Sequence, residues 1–361
     1  MKVAIIGAGN AGYCHACKLT EYGHSVRLVK TSNVIHNESF ERISQLGGIY
    51  AIDHTDGGKR SFFPLELITR DIAEAVKGAD AIFVMTQTLQ HEDIAFRLAP
   101  YLENGQLLVI LPGYLGSIYF KRMCSDKDVL IAEGESMPFD ARINSEGTVE
   151  ILFKNVRNAL AFLPASRSNE GIERARIFFD TYRYVRANII GSALHNPNLI
   201  VHTIGTIMSA SRIEQAKGEF WMYREAFSDS VWNIVTELDR EKNDILELFG
   251  CERLSYLDAC KFRNEEDISK DGLAVFRSYA EHGGPKGPES LDTRFIYEDV
   301  PMGLCLLSSL GAHFNVKTPV CDALITLANA LRKTDYRAQG RTLERLGIGH
   351  MSREELLAYI S

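Results

Sequence analysis

The 361-residue sequence contains no apolar run long enough to cross a bilayer. It also lacks an excess of positive charge. Lys and Arg number 40 against 47 Asp and Glu, giving a formal net charge of −7, which argues against a nucleic-acid surface. A secretory leader is not evident either. MKVAIIGAG has a lysine and a short apolar stretch, but glycines interrupt it too early for a signal peptide. The cysteines form no framework: there are seven, an odd number, and five are scattered without metal-ligand spacing. Cys14 and Cys17 make a single C-x-x-C, with no second Cys or His pair at zinc spacing nearby. Two small buried side chains against a sheet account for them better than a redox or metal role. Internal repeats and low-complexity tracts are absent. What remains is the expectation of a cytoplasmic enzyme with no metal site, and a length that favours two domains over one core.

The first half reads as βα units. Lys2 to Gly7 is a short apolar strand that runs directly into GAGNAG, Gly7 to Gly12, followed by a helical pattern through His15, Leu19 and Tyr22 to Gly23. HSVRLVK, His24 to Lys30, is a second strand. A strand, a G-x-G-x-x-G turn, a helix and another strand form the context that a dinucleotide-binding fingerprint requires. Gly7 permits the tight turn, Gly9 lets the backbone approach a pyrophosphate, and Gly12 lets the helix pack close to the strand. Asn10 and Ala11 complete the turn at the helix N-terminus, where amides and dipole favour phosphate. The second strand ends in Lys30, Thr31, Ser32 and Asn33 rather than in the Asp or Glu that holds the ribose hydroxyls of NAD about twenty residues on. A lysine among polar neighbours suits a 2′-phosphate, so NADP is the preferred cofactor and NAD the alternative. A solvated strand end is the bland reading of Lys30.

AIFVMT (81–86), LLVILPG (107–113) and VLIAEGE (129–135) continue the strand pattern, with an amphipathic helix between the first two at 91–102. A mostly parallel sheet covered on both faces follows, with Thr86 to Thr88 and Pro112 to Gly116 bordering the cofactor. TVEILFKNVRNALAFLPA, 148–165, alternates like two antiparallel strands at the sheet edge.

Beyond about Gly191 the pattern turns helical, with segments at 197–212, 222–249, 301–313 and 319–331, and a capping box SREE at 352–355. The predicted architecture is an α/β Rossmann-type dinucleotide-binding domain, 1–188, followed by an all-helical substrate domain, 189–361, with the site expected between the two. In HNPNLIVHTIGTI, Asn198 and His202 are four apart and share a helix face in a run that otherwise buries. A lone histidine there is most simply a satisfied core residue. In SLDTRFIYEDVPMGL, Asp299 could cap the helix begun by Pro301, and Arg294 with Glu298 could form a surface i, i+4 pair.

The ordered set GAGNAG, LPGYLGS (111–117), GESMPFDAR (134–142), NPNLIVH, LDTRFIYEDVPMGL and DYRAQGRTLERLGI resembles the opine dehydrogenase family, which includes octopine and nopaline dehydrogenases, over essentially the full length. The resemblance implies a nucleotide-binding domain joined to a helical one. It also implies reversible NAD(P)H-dependent condensation of an amino acid with a 2-oxo acid such as pyruvate. By similarity, His202 is the catalytic histidine, Asp299 its dyad partner, Arg294 the holder of the oxo-acid carboxylate, and Asn198 a neighbouring substrate contact. The family's bacterial member, N-(1-carboxyethyl)norvaline dehydrogenase, carries an acid where this chain has Lys30, so the cofactor preference rests on the residues here. Two alternatives compete: a ketopantoate-type or 2-hydroxy-acid reductase acting without an amine, and a non-catalytic NADP(H)-binding sensor. Small-molecule partners are expected, without nucleic acid or membrane, and exposed apolar helix faces leave room for a homodimer.

Overall fold

A computed structural model describes residues 1–282 and 284–361, which form two compact units, Met1–Val185 and Arg186–Ser361. The first unit carries strands β1 (Lys2–Ile6), β2 (Ser25–Val29), β3 (Gly48–Asp53), β4 (Lys59–Pro64), β5 (Leu67–Thr69) and β6 (Ala81–Val84). Its remaining strands are β7 (Leu107–Ile110), β8 (Leu130–Gly134), β9 (Phe139–Ile143), β10 (Val149–Lys154), β11 (Asn158–Leu163) and β12 (Tyr182–Val185).

Eight of them form one sheet in the order β12-β11-β8-β7-β6-β1-β2-β5. All pairings in it are parallel except β11 with β8. The order reverses between β1 and β6, so chain direction diverges at the carboxyl end of β1, where a doubly wound sheet leaves a crevice for a ligand. β6, β7 and β8 are buried at every position, as strands covered on both faces must be.

A smaller sheet, β4-β3-β10-β9, stands apart from the large one. Here the expectation for 148–165 fails. β10 pairs with β3 and β9, whereas β11 joins β8 and β12 in the large sheet, so the two never pair with each other. The burial explains the split. β10 is buried only at Val149 and Ile151, as suits a half-exposed sheet, while NALAFL in β11 is buried throughout.

The second unit is helical. Its central helix, Asn198–Met208, is buried from Leu199 to Ile207, and Asp229–Leu248 and Pro319–Arg332 pack against it. A helix that is apolar on all sides has to be surrounded in this way. The predicted segment at 301–313 begins as a π-helical turn, Val300–Leu304, before the α-helix Cys305–His313. The capping box at Ser352 and Glu355 is formed on both sides. All seven cysteines are free and buried, and among the described residues no cluster of His, Cys, Asp or Glu could hold a metal ion. Burial pushes the Cys14 and Cys17 thiols well up, which suits packing rather than reactivity. No helix among the described residues is long and apolar enough to cross a membrane.

Candidate active site

The Gly-rich turn joins β1 to the helix Asn10–Glu21. Gly7 has φ 120°, and a Cβ on it would press on the Met85 carbonyl. A Cβ on Gly12 would collide with the Gly7 carbonyl oxygen, so helix and turn touch only because both residues are glycine. At Gly9 a Cβ would meet nothing of the protein, which leaves open space in front of the first-turn amides. That helix start has no side-chain cap and no acid in its first turn, the condition in which an anion is welcome. Asn10 serves the fold locally, since its Oδ1 accepts the Ile143 N–H at 2.9 Å and ties the turn to β9. Ala11 is half-buried and accepts from His15 through its carbonyl. Thr86, at the end of β6, is buried, and its hydroxyl has no partner among the described residues. These features fit a dinucleotide with its pyrophosphate at the helix N-terminus.

Lys30 is not a solvated strand end. It is buried, and its Nζ donates to the Ile35 carbonyl at 2.5 Å. Burial lowers its pKa, Arg70 adds to that, and Glu41 opposes it. Thr31 and Ser32 are half-buried beside it. Arg70, at the end of β5, donates to the Ser32 carbonyl (3.1 Å), Asn33 Oδ1 (2.6 Å), Asn37 Oδ1 (2.6 Å) and Glu41 Oε1 (3.0 Å). Burial, and after it the nearby Lys30 charge, lower the pKa of His36. Sequence reasoning misses Arg70 because it directly follows another strand, and the β2–β5 pairing, which ends at Val29 and Thr69, brings it near Lys30.

The loop after β7 is held by Glu133, a second residue that sequence reasoning misses. Its carboxylate is buried and accepts from Leu115 N (2.7 Å), Ser117 N (3.2 Å) and Ser117 Oγ (2.5 Å). Tyr114 and Leu115 both adopt left-handed backbone, φ 50° and 62°, a strained pair that this carboxylate helps secure. A charge inside the apolar strand VLIAEGE is the signal that could have found it.

In the helical unit, residues 97 positions apart meet: His202 Nδ1 and Asp299 Oδ2 are 2.7 Å apart, both buried. A carboxylate only accepts, so Nδ1 carries the proton and Nε2 is left to gain and lose one. Asp299 makes no side-chain cap to the turn that follows, so capping is not its role. Phe295 lies flat against the imidazole, with ring centroids 3.5 Å apart and planes at 13°. Arg294 opens the short helix Arg294–Tyr297, and its side chain is 47% exposed. Its partner Glu298 is 3.5 Å away and only 4% exposed, so the pair is not the surface ion pair that the spacing allowed. Asn198 begins the central helix, half-buried, one turn before His202. Among the aromatic side chains of the helical unit, Tyr336 is buried core and Tyr223 packs edge-on against Tyr279.

Comparison with known proteins separates the two halves of the chain. Residues 3–116 match the family described as ketopantoate reductase PanE/ApbA, and residues 185–332 match "NAD/NADP octopine/nopaline dehydrogenase, alpha-helical domain". An opine dehydrogenase of Arthrobacter sp. (strain 1C) is 30% identical over 97% of this chain and 96% of its own length. The chain belongs to the opine dehydrogenase family. An opine dehydrogenase of this family is an NAD(P)-dependent oxidoreductase acting on CH–NH bonds, catalysing reductive condensation of an amino acid with a 2-oxo acid. Solved structures agree on the fold. An octopine dehydrogenase with NADH and L-arginine superposes with a TM-score of 0.78 at 18% identity, covering 98% of this chain and 97% of that one. An NADP+-bound yersinopine dehydrogenase gives 0.72 at 13% identity, covering 100% and 97%.

Proposed function

We propose that His202, oriented by Asp299, is the acid–base group of this opine dehydrogenase, and that Arg294 binds the carboxylate of the 2-oxo acid. The observation that carries the reading is the buried 2.7 Å contact between Nδ1 and the Asp299 carboxylate. With Nδ1 committed, Nε2 protonates the oxygen that leaves as amine and carbonyl condense, and the Asp299 charge stabilises the imidazolium in between. Arg294 offers a planar two-donor fork at an exposed position, and Asn198 lies one turn from His202 as a second polar contact. Hydride reduction of the C=N bond is the chemistry the dinucleotide supplies when bound. Gly7, Gly9, Asn10, Ala11, Gly12 and Thr86 form its pyrophosphate turn and border. Lys30, Thr31 and Ser32 receive a 2′-phosphate together with Arg70, which makes NADPH the preferred reductant. Two basic side chains, Lys30 and Arg70, stand here beside the exposed carboxylate of Glu41 and support that preference.

The test is a spectrophotometric screen of NADPH and NADH with pyruvate, with and without each common amino acid, followed by mass spectrometry of the product. Amine-dependent consumption and a condensed product are expected. Clearly higher kcat/KM with NADH would remove the 2′-phosphate assignment. The match of residues 3–116 to ketopantoate reductases favours a second reading, reduction of an oxo acid alone, and turnover of pyruvate without amine would establish it.

A further inference from the structure

We propose that Phe295 is a positioning residue for His202: its ring, laid face-on against the imidazole, fixes the plane of that ring and favours its protonated form. The inference rests on His202 being the acid–base group.

The geometry differs from that of several other ring contacts among the described residues. Neutral aromatic pairs prefer edge-on or offset arrangements with centroids about 4.5–7 Å apart. His15 on Phe179 (5.1 Å, 75°), Tyr223 on Tyr279 (5.3 Å, 89°) and Phe249 on Phe314 (5.0 Å, 79°) all follow that preference. His202 and Phe295 stand at 3.5 Å and 13°, nearly face to face. Two neutral rings gain least in that arrangement, because their negative faces oppose each other. A ring that carries positive charge gains most, since the benzene face attracts a cation. The arrangement therefore discriminates between the two states of one residue.

Local structure holds Phe295 in place. Thr293 Oγ1 accepts the Phe295 N–H at 3.4 Å and starts the turn Arg294–Tyr297. The Phe295 side chain also packs on the cluster of Ile213, Phe220, Met222 and Leu291. The hydrogen bond to Asp299 anchors one edge of the imidazole but leaves rocking about that edge. A flat ring on one face removes the rocking and aims Nε2.

Of the other charges on the elements packed against the central helix, Glu214 and Asp229 are exposed to solvent, and those that follow are engaged by partners of their own. Glu241 accepts from Val320 N and Cys321 N, Lys242 donates to Asp239, and Asp322 is engaged by Ser308 and Arg337. Arg224 donates to the Ala280 and Glu281 carbonyls, Glu225 pairs with Arg212, and Arg332 pairs with Asp292. Glu237 pairs with Arg240, and Asp244 and Glu247 pair with Arg253. Arg294 and Glu298 flank Phe295 on its own segment, and Asp299 is the carboxylate bonded to the imidazole.

The experiment follows the His202 ring by NMR in protein carrying 13C-labelled histidine, with His202→Asn identifying its signal. It is paired with the pH profile of kcat in wild type, Phe295→Leu, Phe295→Met and Phe295→Tyr. Loss of the aromatic face in the Leu variant should move the His202 midpoint to lower pH by about half to one unit. Phe295→Met, which fills the volume flexibly, should give the same shift if the Leu variant folds poorly. Phe295→Tyr should restore the wild-type midpoint, and KM for NADPH should stay constant throughout. An unchanged midpoint in folded Leu or Met variants overturns the proposal. Turnover without amine would instead overturn the reaction assigned to the site, while the NMR midpoint would still decide the role of Phe295.

Discussion

Exposure distinguishes two charges that the sequence places on one turn. Arg294 is half-exposed and Glu298 is buried, so the arginine can reach a ligand while its partner steadies the Nε side. Arg294→Ala should raise KM for the 2-oxo acid by about tenfold to a hundredfold, the loss of one or two charge-assisted hydrogen bonds, with a smaller effect on kcat. Steady-state kinetics at saturating amino acid measure this, and an unchanged oxo-acid KM removes Arg294 from the site. His202→Ala should lower kcat by about a hundredfold or more while NADPH binding, followed by fluorescence titration, stays near wild type. Arg70 makes an opposite kind of claim. Arg70→Ala should reduce kcat/KM for NADPH by about tenfold and leave NADH nearly unaffected. Equal losses with both cofactors would show that Arg70 only braces the segment 32–41, including the start of the helix Asn37–Leu46, through its four acceptors.

The element that presents Asp299 is a π-helical turn, and its cause lies in the residues around it. Pro301 has no N–H to give to the preceding turn, the turn widens, and the Pro301 carbonyl separately accepts the Arg341 N–H at 2.9 Å. Gly340 makes this docking possible, since a Cβ there would lie 2.5 Å from the Cys305 Cβ. Gly340→Val should therefore cost about 1–3 kcal/mol in stability and lower kcat, because the turn carrying Asp299 must shift. Urea unfolding and kinetics on the same preparation would test it, and wild-type values for both would mean the turn is not braced from Gly340. Elements of this kind mark the limit of sequence legibility. The Gly-rich turn is readable because its chemistry is local: Gly7, Gly9 and Gly12 lie within one β–α junction. The helical unit is readable from periodicity, and the His202–Asp299 pairing from family resemblance. The π turn, the stacking of Phe295, the approach of Arg70 to Lys30 and the parting of β10 from β11 depend on residues far apart in the chain. Spacing alone carries no record of them.

On the scale of the whole molecule, each compact unit buries a histidine that resists protonation. In the first unit, His15 is packed against Phe83 and Phe179, and burial lowers its pKa to about 4 despite the hydrogen bond to the Ala11 carbonyl. In the second, burial and the neighbouring Lys242 and Arg186 charges hold His195 well below the ordinary value. For a group whose folded pKa is depressed, the unfolded chain binds more protons than the native one. Stability is then complete above the unfolded value near 6.5 and falls as pH drops toward the folded value. The slope is about 1.4 kcal/mol per pH unit for each such histidine. The two tryptophans, Trp221 and Trp232, both belong to the helical unit, so their fluorescence follows that unit, whereas far-ultraviolet circular dichroism follows both. Urea midpoints measured from pH 7 to pH 4.5 should decline in wild type by both signals. His195→Gln should flatten the decline seen by fluorescence, and His15→Gln should flatten the part seen by circular dichroism alone. Wild-type pH slopes in both variants would place the acid sensitivity in other groups that titrate between pH 7 and pH 4.5, and Asp53 is not among them. Burial works to raise its pKa, but Thr55 and Lys18 together hold it below the ordinary value, so its contribution is present above about pH 4 and is lost only below it.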